Sequence, residues 1–220
     1  MKGICKFLFF LFILSFPFHL FGHVLNGKEI SQLSGSEVIW AYLRLGFLHI
    51  LPGGADHVLF ILGLFFLSPK LKSLIWQATA FTVAHTVTLG IAMLGVFKPP
   101  ASIIEPIIAL SIAFVAIENI IVSEFKPFRL AVVFLFGLIH GFGFAGALRE
   151  IGMPENSFYT ALFTFNAGVE LGQIIIIVAA YCLIGKWFSQ KTWYRIRIVI
   201  PASVVIAMIA IYWTIIRLMD

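Results

Sequence analysis

Eight side chains able to ligate a metal ion, His49, Asp56, His57, His85, Glu105, Glu118, His140 and Glu170, lie within or beside stretches that are otherwise apolar. Imidazole and carboxylate together suit nickel, cobalt, zinc or copper, whereas magnesium and calcium prefer oxygen alone. Asp56 and His57 are adjacent, so one can bind metal while the other fixes its orientation. A charge at the centre of a bilayer costs roughly 2.5 to 3.5 kcal/mol, so these groups are expected to face a shared interior and pair there. With no Lys or Arg expected at comparable depth, the set is net anionic and its acids lack a basic partner. Each member also has a plainer reading. A single His can bridge two helices, Thr82, Thr86 and Thr88 could satisfy His85, and Glu105 before Pro106 could be an interfacial acid at a helix start. Asn119, Asn166 and Gln173 read as interhelical glue.

The segments that carry these residues read as membrane spans. Hydrophobic residues make up 61% of the chain and charged residues 11%, with a mean hydropathy of +1.05, far from the range of a water-soluble core. The expected class is all-α, a polytopic membrane bundle of about six transmembrane helices after a cleaved signal peptide. Residues 1–22 have leader organisation: Lys2 and Lys6, then the apolar run Phe7 to Phe18. Cleavage after Gly22 would expose His23, whose amine and imidazole together could chelate copper or nickel. Residues 23–220 then form one membrane domain. Ser34 or Ser36 could cap an amphipathic helix over 37–50. Pro52, Gly53 and Gly54 break it before an apolar helix over 55–68, so the first span is kinked or re-entrant. Later spans are expected near 73–97, 103–122, 128–148, 158–184 and 196–218. Gly137 with Gly141, and Gly168 with Gly172, have the spacing of close helix packing, to which no functional weight is given.

The net charge of +5 and pI near 9.4 could suggest nucleic acid, but the basic residues punctuate the ends of apolar segments instead of forming one face. Lys70, Lys72, Lys126, Arg129, Lys186, Lys191, Arg195 and Arg197 occupy alternate connections, against Lys98 and Arg149 in the others. The positive-inside rule puts the first set in the cytoplasm and the processed N-terminus in the periplasm of a bacterial inner membrane. Asp56, His57 and Glu105 then lie toward the periplasm, His85, His140 and Glu170 near the middle, and Glu118 toward the cytoplasm, as a ladder. Cys5 and Cys182 supply neither a disulfide framework nor a cysteine-based metal cluster.

The strings GFLHILPGGADHVLFILGL (46–64), FTVAHTVTL (81–89), EPIIALSIAFVAIEN (105–119), FGLIHGFGFAGAL (136–148) and FNAGVELGQ (165–173) resemble the HupE/UreJ family, in order and over nearly all of the expected mature chain. That family is described as nickel or cobalt permeases accompanying hydrogenase and urease systems. The resemblance implies a six-helix inner-membrane protein with a cleaved leader and a soluble metallochaperone or metalloenzyme maturation partner. It implies roles for His49, Asp56 and His57, and for Glu105, Glu118 and Glu170. The His-to-Asp interval is one residue longer than in the family's permease motif, with Pro52-Gly53-Gly54 inside it, which points to a different metal or another activity.

The reading that unites these features is a channel-like permease for a divalent transition metal, nickel or cobalt first. The chain carries no P-loop for nucleotide coupling, and a membrane potential contributes roughly 2.3 kcal/mol per charge per 100 mV. An intramembrane zinc-dependent hydrolase holding its ion on His57, His85 and His140, with Asp56 or Glu170 as base, is the alternative. A b-type haem protein with His85 and His140 as axial ligands is a third. Compact convergence of the ligands favours the hydrolase, and a ladder that reaches Glu118 favours transport.

Overall fold

The computed structural model describes residues 35–122 and 128–219, all helices and connections with no strand among them. The expected leader and His23 lie outside these residues, as do Ser34 and Lys126. Helix α1 covers Gly35–Ile50 and α2 Ala55–Leu67; the two are bent by 67° at the Pro-Gly-Gly break, as expected of a kinked or re-entrant first span. Ser36 is in the first turn of α1, so it is not its cap. The full spans are α3 (Leu71–Met93), α4 (Ala101–Ile121), α5 (Arg129–Ile151), α6 (Phe158–Ala180) and α7 (Ile200–Met219). A π-helical turn, Tyr181–Gly185, carries α6 on through Phe188, and another, Arg195–Val199, leads into α7. Five helices are long and apolar enough to cross a bilayer, and the bent α1–α2 pair brings the number to six if it counts as one span. The chain is a multi-pass membrane bundle.

Helix α3 stops short of its expected end because Gly95 takes φ +77, a left-handed conformation that closes the helix as its N–H donates to the Ala92 carbonyl. The beginnings of α1, α4 and α6 and the ends of α3, α5 and α7 share one end of the bundle, here the Asp56 end. The opposite, Glu118 end carries Glu118 and Arg129.

Helix α2 is apolar on all sides, and its His57, Phe60, Ile61, Gly63, Leu64, Phe65 and Phe66 are buried, the signature of an internal helix. Its neighbours close around it through glycines. A side chain at Gly46 would meet the Phe165 backbone, one at Gly168 the Leu43 carbonyl, and one at Gly141 the His85 carbonyl. These contacts set α1 against α6 and α5 against α3 at backbone distance, which only a missing Cβ permits. The glycine pairs pack helices closely as their spacing predicts, and Gly141, next to His140, rests on His85.

We expect Gly168→Leu to destabilise the bundle by about 1–3 kcal/mol, since the α1 backbone cannot yield to the added side chain. Gly146, which has nothing within 4 Å of an added Cβ, supplies the control. Thermal unfolding in detergent should show a lowered midpoint for Gly168→Leu and a parental one for Gly146→Leu; equal midpoints would contradict the packing.

Candidate metal centre

The four histidines of the described residues converge. His49 stands at the end of α1 and His57 in the first turn of α2, and the break at 51–54 folds one back on the other, with ring centroids 4.7 Å apart. His85 on α3 is 6.1 Å from His49 and 6.0 Å from His57, while His140 on α5 is 5.2 Å from His57. His49, His57 and His85 each offer a ring nitrogen, and these three atoms lie within 4.8 Å of one another. Gly53 and Gly54 make the fold-back passable. A Cβ on Gly54 would run into the His49 carbonyl, and one on Gly53 would come within 2.9 Å of the Leu48 carbonyl.

Neighbouring hydrogen bonds settle the tautomers of two rings. The Asn166 amide donates through Nδ2 to the Leu162 carbonyl (2.8 Å), which turns its Oδ1 toward His85. His85 Nδ1–H therefore donates to that oxygen at 2.9 Å and leaves Nε2 with a lone pair. The Ser111 hydroxyl donates to the Ile108 carbonyl (2.7 Å), so its oxygen accepts from His140 Nε2–H at 2.9 Å and His140 Nδ1 keeps the lone pair. His85 Nε2, His140 Nδ1, His49 Nε2 and His57 Nε2 are all buried without a hydrogen-bond partner. A buried ring nitrogen without a partner in an apolar interior is costly, and a metal held by His49, His57 and His85 would satisfy three of the four. The donor set thus fits a transition-metal ion, with imidazole nitrogens close together and two of them oriented from behind.

A cavity of about 340 Å³ leads to this cluster from the Asp56 end, lined by His49, His57 and His140 and edged by Asp56, Glu105 and Arg217. Behind the histidines, Phe60 and Phe81, both fully buried, lie 5.3 and 5.0 Å from the His140 ring, and Phe136 lies 6.0 Å from Phe60.

The acids are distributed otherwise than the ladder expected, and two have the basic partner they were expected to lack. Arg217 Nη2 donates to Asp56 Oδ2 at 3.0 Å, and Arg217 Nη1 to the Glu105 carbonyl at 3.3 Å. Glu118 pairs with Arg129 at 3.4 Å, and the Arg129 side chain is 2% exposed. The basic partners come from helix ends, Arg217 from the last turn of α7 and Arg129 from the first turn of α5. Arg129, counted among the cytoplasmic loop cations, is a buried residue of α5. Glu170 accepts from the Thr79 hydroxyl at 2.6 Å, apart from the imidazoles. Asn119 bridges helices as expected, donating to the Gly63 carbonyl at 2.8 Å and to Ser203 at 3.2 Å. His85 is held by Asn166 and not by the threonines, whose Thr86 and Thr88 hydroxyls donate to backbone carbonyls of their own helix. Ser111, the partner of His140, was missed; its trace is a lone hydroxyl in the apolar run of 107–117.

The family model described as HupE / UreJ protein matches residues 26–217. Neither a curated protein nor a solved structure matches the chain.

The Arg129–Glu118 pair generates a stability test. Glu118→Gln leaves a buried guanidinium without its counter-charge and should cost about 3–5 kcal/mol. The double variant Glu118→Gln with Arg129→Met should recover most of that loss in a detergent unfolding assay. Equal stability of the parent and the single variant would mean that Glu118 does not neutralise Arg129.

Proposed function

The chain belongs to the HupE/UreJ family, and from that premise we propose that it is a permease for a divalent transition-metal ion, nickel or cobalt first, in the bacterial inner membrane. The observation that carries this reading is the set of four imidazoles, each with an unpartnered ring nitrogen, three of which line a cavity edged by Asp56 and Glu105. Asp56 and Glu105 outnumber Arg217 at the mouth, a net negative charge that raises the local concentration of a cation, and imidazoles behind them select a transition metal over magnesium or calcium. The alternation of basic connections supports a periplasmic Asp56 end. On that orientation the cavity receives the ion from outside, and an inward-negative potential draws it on by roughly 2.3 kcal/mol per charge per 100 mV. A soluble carrier or a metalloenzyme under assembly would receive it in the cytoplasm.

The compactness of the imidazole cluster favours a second reading, a zinc-dependent hydrolase with its ion on His57, His85 and His140. In that reading a carboxylate must serve as base. Asp56 is engaged by Arg217 and Glu170 by Thr79, which supports the permease over the hydrolase.

Purified protein in proteoliposomes should pass nickel or cobalt, tested beside zinc and copper. His57→Ala should abolish that flux and lower bound metal while leaving insertion and the unfolding midpoint near parental values. Normal flux in His57→Ala would remove the histidine cluster from the path. Retention of one zinc per chain, together with hydrolysis of a lipid or peptide substrate and no metal flux, would replace transport by the enzyme reading.

A further inference from the structure

The rings of Phe60 and Phe81 pack against His57, His85 and His140 on one side of the cluster, so an ion leaving it toward the Glu118 end needs another surface. The helix pair α3–α6 offers one. The two helices run antiparallel, fixed in register by His85 against Asn166 at 2.9 Å and Thr79 against Glu170 at 2.6 Å. Thr82 lies midway between Thr79 and His85 on α3. On α6, Asn166, Glu170 and Gln173 follow at i, i+4 and i+7, one continuous stripe. The rise of 1.5 Å per residue carries that stripe about 10 Å from the imidazoles toward the Glu118 end.

Its atoms lack partners. Glu170 Oε2 and Thr82 Oγ1 make no hydrogen bond, and Gln173, fully buried, leaves both Oε1 and Nε2 unpartnered. A carboxamide enclosed in a bilayer-spanning bundle with neither end satisfied costs several kcal/mol unless something polar reaches it. Helix α6 has ample apolar residues around this position, so an amide here is not needed for packing.

We propose that Thr82, Glu170 and Gln173 form a second cation station, an oxygen-lined seam between α3 and α6 along which a partly hydrated divalent ion leaves the histidine cluster. The proposal rests on the permease reading and deepens it. Oxygen donors hold nickel or cobalt less tightly than clustered imidazoles, so the seam is the weaker site, and release requires such a step. Gln173 is its diagnostic residue, because it carries no charge, touches no imidazole and has no other partner.

The probe is Ni²⁺, with two measurements on the full chain. In the first, Gln173→Leu should keep the tight Ni²⁺ binding of the histidine cluster and lose only weak binding, while its proteoliposome flux falls about tenfold, equivalent to roughly 1.4 kcal/mol on the barrier. Gln173→Glu, which keeps an oxygen donor, should restore flux. Parental flux in Gln173→Leu would overturn the seam while leaving the permease reading intact. In the second, Gln173→Cys in a background with Cys5 and Cys182 replaced by serine should react with a water-soluble thiol reagent far faster than Leu171→Cys on the exposed face of the same helix, and Ni²⁺ should slow the reaction. A cysteine at 173 as inert as one at 171 would overturn the proposal whether or not the parent transports. Absence of Ni²⁺ flux in the parent, with fast labelling at 173, would instead sink the permease reading and keep the seam as a hydrated polar passage.

Discussion

An imidazole ring enclosed among apolar helices needs partners for its nitrogens, and this bundle gathers four such rings at one place with one nitrogen of each left open. Water inside a soluble protein could satisfy each ring separately. Within a span the choices narrow to a neighbouring side chain, a backbone group or a bound ion. Asn166 and Ser111 each take one ring nitrogen of His85 and His140, and each is itself turned by a bond to a carbonyl in its own helix. The chain of support therefore runs from backbone to amide or hydroxyl to imidazole, and it leaves a lone pair on the opposite ring nitrogen. Such support fixes the tautomer and holds the ring, which is how outer partners prepare a metal site.

The convergence depends on helices approaching more closely than ordinary side chains allow. His140 reaches the cluster because Gly141 lets α5 lie on the His85 turn of α3, and His49 does so because Gly46 and Gly168 press α1 onto α6. The Gly53-Gly54 turn then reverses the chain tightly enough for His57 to meet His49. Burial of α2 on every side completes the enclosure, with its phenylalanines forming the floor beneath the histidines.

Arginines divide the molecule electrically. Arg217 holds Asp56 at the rim of the cavity, and Arg129 neutralises Glu118 at the far end. Arg149 and Arg195 donate to carbonyls at the C-terminal ends of α3 and α4, where the exposed backbone carries partial negative charge. Basic residues that a count of loop charges treats alike thus do different work. Some mark topology, and others are counter-ions or caps. The interior between the two ends is left to neutral imidazoles and the polar seam.

The sequence by itself determined the class of the protein, since apolar stretches of span length admit few solutions other than helices in a bilayer. It also determined the kink, because Pro52-Gly53-Gly54 cannot continue a helix, and the family, because five ordered strings resemble the HupE/UreJ pattern. It named all four histidines of the cluster. What it could not decide was which acids accompany them. Spacing along a helix places Glu118 on an inward face but says nothing of Arg129, which comes from the next span, and it cannot bring the last turn of α7 to Asp56. Those pairings, the tautomers fixed by Asn166 and Ser111, and the separation of Glu170 from the imidazoles arise only when distant helices meet. Periodicity is a property of one helix, whereas a charge or a lone pair is satisfied by its neighbour across the gap, and that neighbour is a product of tertiary packing.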